Sequence, residues 1–317
     1  MANGTQENRR NRMPEVSVIV PTFNRAHMIE KAIFSVLRQT YKDLELIIVD
    51  DGSVDDTALV VAKINDDRLK YIRHEKQKGA AEARNTGVAA SNGRFFAFLD
   101  DDDEWLADKL DLQMEVFGSN PEIGMVYTGY YYVNAENNEI FREFHPKMKG
   151  RLDDRLLMEN CVGTTSTAVI RKDCFETVGG FDVCLRGSQD WDLWIRIAEE
   201  YPIEYVARPL VKFLNHDLRI THNLGSKIQG KERLLEKIHP LIKDKPKILS
   251  NHYFVIGFLY CANGDVENGR EKLLKAIKLN PLEIRYYKHY IPALFGSSFY
   301  KYLSSKRNKF LITPKNS

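Results

Sequence analysis

From Glu15 onward, short runs of β-branched and aromatic residues alternate with longer stretches whose apolar residues recur at helical spacing. A run such as Leu46-Ile47-Ile48-Val49 has no polar face. It must be covered on both sides, which a parallel sheet under helices achieves. Strands are expected over Val16–Val20, where Pro21 ends the run, and over Leu44–Val49, Leu69–Arg73 and Arg94–Leu99. Helices are expected between the turn around Asn24 and the polar break at Gln39-Thr40, over about Asp55–Ile64 and over about Ala80–Ala90. In the first of these, Ile29, Ala32, Ile33, Val36 and Leu37 share one face. The expected fold class is α/β, a mostly parallel central sheet flanked by helices.

Two of the apolar strands end abruptly in carboxylates, at Asp50-Asp51-Gly52-Ser53 and at Asp100-Asp101-Asp102-Asp103-Glu104. Open parallel sheets bind ligands beyond the carboxyl ends of their strands, so both acid groups are expected on one shared rim. Five consecutive acids repel one another unless something positive sits among them. Mg²⁺ and Mn²⁺ take carboxylate oxygens and leave positions for substrate phosphates, which makes an Asp-x-Asp arrangement a candidate metal site. A solvated acidic loop is the plain alternative. Gly52 permits a tight turn and Ser53 is placed to cap the next helix. Pro21-Thr22-Phe23-Asn24-Arg25 adds hydrogen-bonding groups to the rim, and Arg84 is a cation for a phosphate, for the rim acids or for a surface salt bridge.

The chain has 317 residues, 43% of them apolar and 28% charged, with a formal net charge of +2, as expected of one large folded domain plus a smaller one. So balanced a charge argues against a general polyanion-binding surface, although its distribution along the chain is uneven, and no nucleic-acid partner is expected. Cys161, Cys174, Cys184 and Cys261 show no paired short spacing, so neither a zinc site nor a disulfide framework is expected and a reducing, cytoplasmic setting fits. Residues 1–13 are polar and Arg-rich, unlike a secretory signal, and are read as a flexible arm. No apolar run approaches the roughly 20 residues that span a bilayer. Membrane contact is therefore expected to be peripheral.

After about Leu224 the strand-like runs stop and helical periodicity takes over, through Lys231–Ile242 and again from His252, which places a boundary near Gly225. The expected domains are 14–224, with a nucleotide-binding half to about 105 and an acceptor half from 106, followed by a helical region over 225–317. Gly257-Phe258-Leu259-Tyr260, Gly264-Asp265, Ala276 and Leu279-Asn280-Pro281 match either one tetratricopeptide-type hairpin or an ordinary helical hairpin. Glu283 is the last acid. Beyond it Lys288, Lys301, Lys306, Arg307, Lys309 and Lys315 are interleaved with Tyr and Phe, a basic aromatic tail suited either to an anionic membrane surface or to packing on the protein.

Four segments in series, Val18-Ile19-Val20-Pro21-Thr22-Phe23-Asn24-Arg25, Val49-Asp50-Asp51-Gly52-Ser53-Val54-Asp55-Asp56-Thr57, Ala83-Arg84-Asn85-Thr86-Gly87 and Phe98-Leu99-Asp100-Asp101-Asp102-Asp103, closely resemble the inverting glycosyltransferase family 2. The resemblance runs from about Glu15 to Asn223. It continues through Gly163-Thr164-Thr165-Ser166-Thr167, Gly179-Gly180-Phe181-Asp182 and Ser188-Gln189-Asp190-Trp191-Asp192-Leu193-Trp194-Ile195-Arg196, which look like the family's acceptor-side segments.

The resemblance implies a GT-A fold whose first half holds a nucleoside diphosphate sugar and whose second half shapes the acceptor site. By position, Pro21, Thr22, Asn24, Asp50, Asp51, Arg84, Asp100 and Asp101 would line the nucleotide site. Asp102 with Asp100 would hold Mn²⁺ or Mg²⁺, and His216 or His222 would offer a third ligand or a phosphate contact if either is more than a surface histidine. Asp190 would be the general base, with Asp192 as the next candidate. Where the family often carries Glu-Asp, this chain has Gln189-Asp190.

The implied function is transfer of a sugar, from a UDP-sugar by expectation, to a hydroxyl of a carbohydrate or lipid-linked acceptor in polysaccharide or glycolipid biosynthesis. A cytoplasmic protein, peripheral on the cytoplasmic membrane face, is the matching location. The rival from another class is a non-catalytic sugar-nucleotide-binding scaffold. A dinucleotide-binding oxidoreductase lacks its Gly-x-Gly-x-x-Gly after Val20 or Val49, and Gly225–Lys231 spells a P-loop only up to Glu232, where Ser or Thr should stand.

Overall fold

The computed structural model describes residues 13–215, 224–301 and 303. The expected arm, apart from Met13, lies outside the described residues, as do His216, His222 and the last basic residues of the tail. The described chain divides into two compact units, one built from 13–153, 160–183 and 189–215, the other from 154–159, 184–188 and 224 onward.

The first unit begins with β1 (Val16–Thr22), α1 (Ile29–Leu37), β2 (Leu44–Asp50), α2 (Thr57–Ala62), β3 (Leu69–Arg73), α3 (Ala80–Ala89) and β4 (Phe95–Phe98). Their order in the sheet is β3-β2-β1-β4, all parallel, with Val16 opposite Leu44 on one side and Phe95 on the other. β1, β2 and β4 are buried along their whole length, as runs without a polar face require. α1 lays Ile29, Ala32, Ile33, Val36 and Leu37 onto the core. α3 comes so close to the sheet that a Cβ on Gly87 would lie 2.4 Å from the Ile19 side chain, so only glycine fits there.

The structure corrects the expectation that Pro21 ends the first strand. β1 continues through Pro21 to Thr22, paired with Val49 and Asp50. Ile19 O accepts from Leu99 on the β4 side and Thr22 O accepts from Asp51 on the β2 side, so odd residues of β1 face β4 and even residues face β2. Pro21 faces β4 beyond Phe98, where that ladder has ended and no N–H is needed.

The chain then adds β5 (Asp103–Trp105), α4 (Lys109–Ser119), β6 (Met125–Asn134), β7 (Ile140–Phe144), α5 (Asp154–Met158, in the second unit), a 3₁₀ turn (Thr165–Thr167), β8 (Val169–Arg171), α6 (Lys172–Val178), α7 (Gln189–Glu200) and β9 (Ile203–Asn215). The sheet extends as β4-β8-β6-β9-β5, with β7 paired to β6, and this part is mixed: β4–β8, β8–β6, β6–β7 and β9–β5 are antiparallel, while β6–β9 is parallel. β2 and β3 lie on one side of β1 and β4 on the other. The direction of winding therefore reverses at β1, and the carboxyl ends of β1, β2 and β4 open on one edge.

The second unit is helical among its described residues: α5, then α8 (Leu224–Ile242), α9 (Pro246–Asn263), α10 (Val266–Leu279) and α11 (Ile284–Leu294). α9 and α10 form a hairpin turned at Gly264-Asp265, where Asp265 caps α10 by accepting from Asn268 N. His252 bonds the Leu157 carbonyl of α5 at 2.7 Å, and burial pushes its imidazole down to about 4. It is a neutral structural histidine at physiological pH.

Candidate active site

The rim beyond β2 is built from the two carboxylates of Asp50-Asp51, which part company at the strand end. Asp50 has no exposed surface. Its Oδ1 accepts from Ser53 N at 2.7 Å and its Oδ2 from the Tyr71 hydroxyl at 2.5 Å, so it closes the turn for which Gly52 supplies φ +83°. With no exposed surface, Asp50 meets a nucleoside only if the turn or Tyr71 moves aside. Asp51 is also buried, and accepts from His74 Nδ1 at 2.8 Å, Lys78 N at 2.8 Å and Gly79 N at 2.7 Å. In this arrangement Asp51 shapes the loop leading into α3.

Asn24, at φ +54°, ties the β1 loop to this turn: its N–H donates to Ser53 Oγ at 2.8 Å and its Oδ1 accepts from Val54 N at 2.8 Å. Thr22 Oγ1 is buried on the ligand rim, where its only partner is the neighbouring Asp101 carboxyl, too loosely placed to make a well-formed hydrogen bond.

Beyond β4 a turn, closed by Asp103 N donating to Asp100 O at 3.0 Å, sorts the acid run into two groups. Ligand oxygens of Asp100, Asp102 and Asp103 all lie within 4.8 Å of one another. Asp101 turns away towards Arg25, whose Nε is 3.9 Å from Asp101 Oδ1, and burial together with the Asp102 charge pushes its carboxyl up to about 7. Three clustered carboxylates are a donor set that suits a hard divalent cation. Asp100 and Asp102 were named from the sequence; Asp103 is the member whose place the unbroken run concealed. Ser166 steadies the cluster, donating to Asp103 Oδ2 at 2.7 Å and accepting from Asp100 N at 3.1 Å.

Arg84 projects from α3 into the same place. Its Nη2 donates to Asp100 Oδ1 at 2.6 Å, its Nη1 to Gln189 Oε1 at 3.4 Å, and its guanidinium lies over the Phe181 ring, 5.4 Å from the centroid. Arg84 Nε is buried without a partner. The next residue, Asn85, clamps Phe181 from both sides, donating to its carbonyl at 2.8 Å and accepting its N–H at 3.1 Å. The Ala-Arg-Asn segment thus positions one cation and the aromatic surface beneath it.

Asp190 lies in the first turn of α7, one residue after the Gln189 that meets Arg84. Its Oδ1 accepts from Trp191 N at 2.8 Å and its Oδ2 from Asn160 Nδ2 at 3.0 Å. Asp192, the second candidate base, is buried and paired with Arg196, whose Nε and Nη2 donate to Asp192 Oδ2 at 3.0 and 2.7 Å. Arg196 also donates to the Val178 and Gly180 carbonyls at 2.5 and 2.6 Å. Asp192 anchors α7 to the Gly179-Gly180 turn and is not placed as a base. Asn160 carries no sequence signal; Thr164, Thr165 and Ser166, in a segment that resembles the family's acceptor side, bond Asp100 and Asp103.

The family model for glycosyl transferase family 2 matches residues 17–179, a stretch that holds every rim loop described above. The chain belongs to glycosyl transferase family 2. This family 2 protein is 36% identical over 191 residues to the UDP-Glc:alpha-D-GlcNAc-diphosphoundecaprenol beta-1,3-glucosyltransferase WfgD of Escherichia coli, covering 60% of this chain and 72% of that one. It is 48% identical over 106 residues, 32% of this chain and 34% of the other, to the GalNAc(5)-diNAcBac-PP-undecaprenol beta-1,3-glucosyltransferase of Campylobacter jejuni.

Among solved structures it is similar to S. aureus TarS 1-349 in complex with UDP-GlcNAc, with a TM-score of 0.65 at 17% identity over 84% of this chain and 81% of that one. The mannosyltransferase PcManGT from Pyrobaculum calidifontis, in complex with GDP-Man and Mn²⁺, gives 0.58 at 17% identity, with 95% and 88% covered. At this identity the two structures speak for the fold, a GT-A-like curled sheet under helices. The activity class follows from the family: the protein is a glycosyltransferase acting in glycan biosynthesis.

Proposed function

We propose that this glycosyltransferase moves a sugar, with inversion, from a UDP-sugar to a hydroxyl of a lipid-linked saccharide. The observation that carries the reading is the link Asp100–Arg84–Gln189, which sets the first turn of α7, and Asp190 with it, beside the acid cluster. The two relatives named above supply the substrate classes, a UDP-sugar donor and polyprenyl-diphosphate-linked acceptors.

In this reading the rim of Pro21, Thr22, Asn24, Asp50, Asp51, Arg84, Asp100 and Asp101 receives the nucleotide, with the buried Arg84 Nε and the poorly satisfied Thr22 hydroxyl as atoms that gain a partner from it. Asp102 and Asp100, with Asp103 beside them, would hold a Mn²⁺ or Mg²⁺ ion, whose charge compensates the departing diphosphate. Residues 106–224 shape the acceptor side. Asp190 takes the proton of the acceptor hydroxyl as that oxygen attacks the anomeric carbon, and Asn160 keeps the carboxylate aimed. Because one displacement forms the new bond and breaks the old one, the anomeric configuration inverts. Gln189 is neutral, so Arg84 faces one carboxylate, Asp100, instead of the two that a glutamate at that position would give it.

The chain acts, in the same reading, at the cytoplasmic face of a membrane, with the basic region after Glu283 making peripheral contact; among the described residues no helix is long and apolar enough to cross. The test is to incubate the protein with UDP-glucose and other sugar nucleotides, an undecaprenyl-diphosphate-linked GlcNAc acceptor, and Mn²⁺, Mg²⁺ or EDTA, following UDP release and the anomeric configuration of the product by NMR. A β-linked product formed from an α-linked donor, lost in EDTA, is expected. Retained configuration would remove Asp190 from its role, and donor binding without turnover on any acceptor would leave a sugar-nucleotide-binding scaffold.

A further inference from the structure

We infer that the outward face of α11 (Ile284–Leu294) and of the turn after it lies on an anionic lipid bilayer, with Ile284, Ile291 and Phe295 entering the headgroup boundary and Lys288 among the phosphates. The inference rests on the reading that the enzyme works at a membrane face, and names the element that makes the contact.

α11 is apolar on two opposite sides. Inward, Tyr286 and Ala293 are buried, and Tyr300 continues the same seven-residue spacing. Tyr286 packs on Phe254 with ring centroids 5.0 Å apart and shares a 3.0 Å hydrogen bond with Ser250, while Ala293 and Tyr300 join Cys261 and Leu273 in one core. Outward, Ile284 and Ile291 repeat at the same spacing, two turns apart and therefore in line, with Leu294 and Phe295 one turn further on. Ile284 is 68% exposed, Ile291 52% and Phe295 68%; Leu282, just before the helix, is 90% exposed, and Phe299 packs on Phe295 at 5.2 Å. The inward side already satisfies folding, so the second row has no structural task within this unit. An exposed row of large apolar side chains on a soluble surface marks a contact site.

The charges identify the partner as lipid. Glu283 is the last acid in the sequence, and Arg285 Nε pairs with it at 3.0 Å at the head of the helix. From there on every charged side chain is cationic: Lys288, exposed between Ile284 and Ile291 on the outward face, then Lys301, Lys306, Arg307, Lys309 and Lys315. A protein partner would meet a rim of mixed charge more often than one of a single sign. An apolar row that holds Lys288, is flanked by Tyr287 and Phe299 and is followed in the sequence by cations alone instead matches helices that lie in the plane of an anionic interface, and α11 is far too short to span it.

The full chain is tested by co-sedimentation with phosphatidylglycerol-rich and with pure phosphatidylcholine vesicles, at low and high salt. Ile291→Asn combined with Phe295→Ser changes the apolar row, and Lys306→Ser, Arg307→Ser and Lys309→Ser together change charge alone. Circular dichroism checks that both variants are folded, and size-exclusion with light scattering gives the oligomeric state. Binding of the wild type to anionic vesicles, lost by about tenfold or more in the apolar variant, is expected. If the apolar variant binds like wild type while the charge variant does not, attachment is by the basic region alone and the inference about α11 fails, although the membrane reading stands. If the wild type stays in the supernatant, membrane contact itself fails, while sugar transfer to a short-chain acceptor remains separately measurable. A wild-type dimer that Phe295→Ser dissociates, without vesicle binding, would make the face a contact between two copies.

Discussion

Asn160 Nδ2 donates to Asp190 Oδ2 at 3.0 Å, while Asn160 Oδ1 accepts the N–H groups of Gly163 and Val162 at 3.0 and 3.3 Å. The amide is thus oriented by its own loop before it meets the carboxylate. A donor aimed at a carboxylate favours the charged form and fixes its direction, both of which a general base needs. Asn160→Ala should lower kcat by roughly tenfold and move the acid limb of the rate profile to higher pH, leaving the donor KM unchanged. A slower variant with an unmoved pH profile would make Asn160 a purely structural residue.

Asp190→Asn keeps the hydrogen-bonding shape of the first turn of α7 but cannot take a proton. Turnover should fall by about 10²- to 10⁴-fold, with UDP affinity within a factor of about two of wild type. Transfer at near wild-type rate would mean that another group is the base.

Asp102→Ala should weaken UDP binding in the presence of Mn²⁺ and leave the weaker, metal-free binding in EDTA as it is, because Asp102 faces the acid cluster. Calorimetric titration under the two conditions separates the effects. Equal affinity of the two proteins with Mn²⁺ would remove Asp102 from the metal site.

Asp192 holds Arg196 over the Val178 and Gly180 carbonyls. Asp192→Asn should therefore cost stability, about 2 kcal/mol in denaturant unfolding, and should preserve the shape of the pH–rate profile. Loss of turnover with unchanged stability would contradict this structural role.

Lys109 is fully buried, its Nζ donating to Gln113 Oε1 at 2.7 Å and lying 3.9 Å from the Trp105 ring centroid. Burial lowers its pKa well below the usual 10.5. Between the lowered value and 10.5 the unfolded chain binds a proton that the folded chain does not, so stability rises with pH across that window and falls as pH drops towards the folded value. Lys109→Met removes this contribution. The stability of the variant relative to wild type should therefore be greatest near about pH 7 and shrink by about pH 10, measured by chemical denaturation. Parallel curves over that range would show that Lys109 does not titrate on unfolding.

The alternation that starts at Glu15 determined the strand and helix succession as far as Leu99 to within a few residues, because covered strands and amphipathic helices leave local periods in the sequence, whereas the elements from Asp103 to Asn215 were not read from it. The motif series likewise determined the family. Partnership was decided only by the tertiary structure. In Asp50-Asp51 two identical neighbours receive different roles, since successive side chains leave a strand end in opposite directions and meet Tyr71 in one case, His74 and Gly79 in the other. In the acid run, a turn between Asp100 and Asp103 selected the clustered set and swung Asp101 towards Arg25.

Pro21 stayed in its strand because β4 stops short of it, which no property of Pro21 itself announces. Asp190 and Asp192 differ by two places on one helix, and what separates a candidate base from a buried tether is that the first meets Asn160, 30 residues away, and the second meets Arg196 on its own helix. Periodicity is written in neighbours along the chain. An i, i+4 pair such as Asp192–Arg196 is local, but which side chains meet across a site, as Asn160 meets Asp190, depends on how distant segments pack, and the residues themselves carry no local record of that.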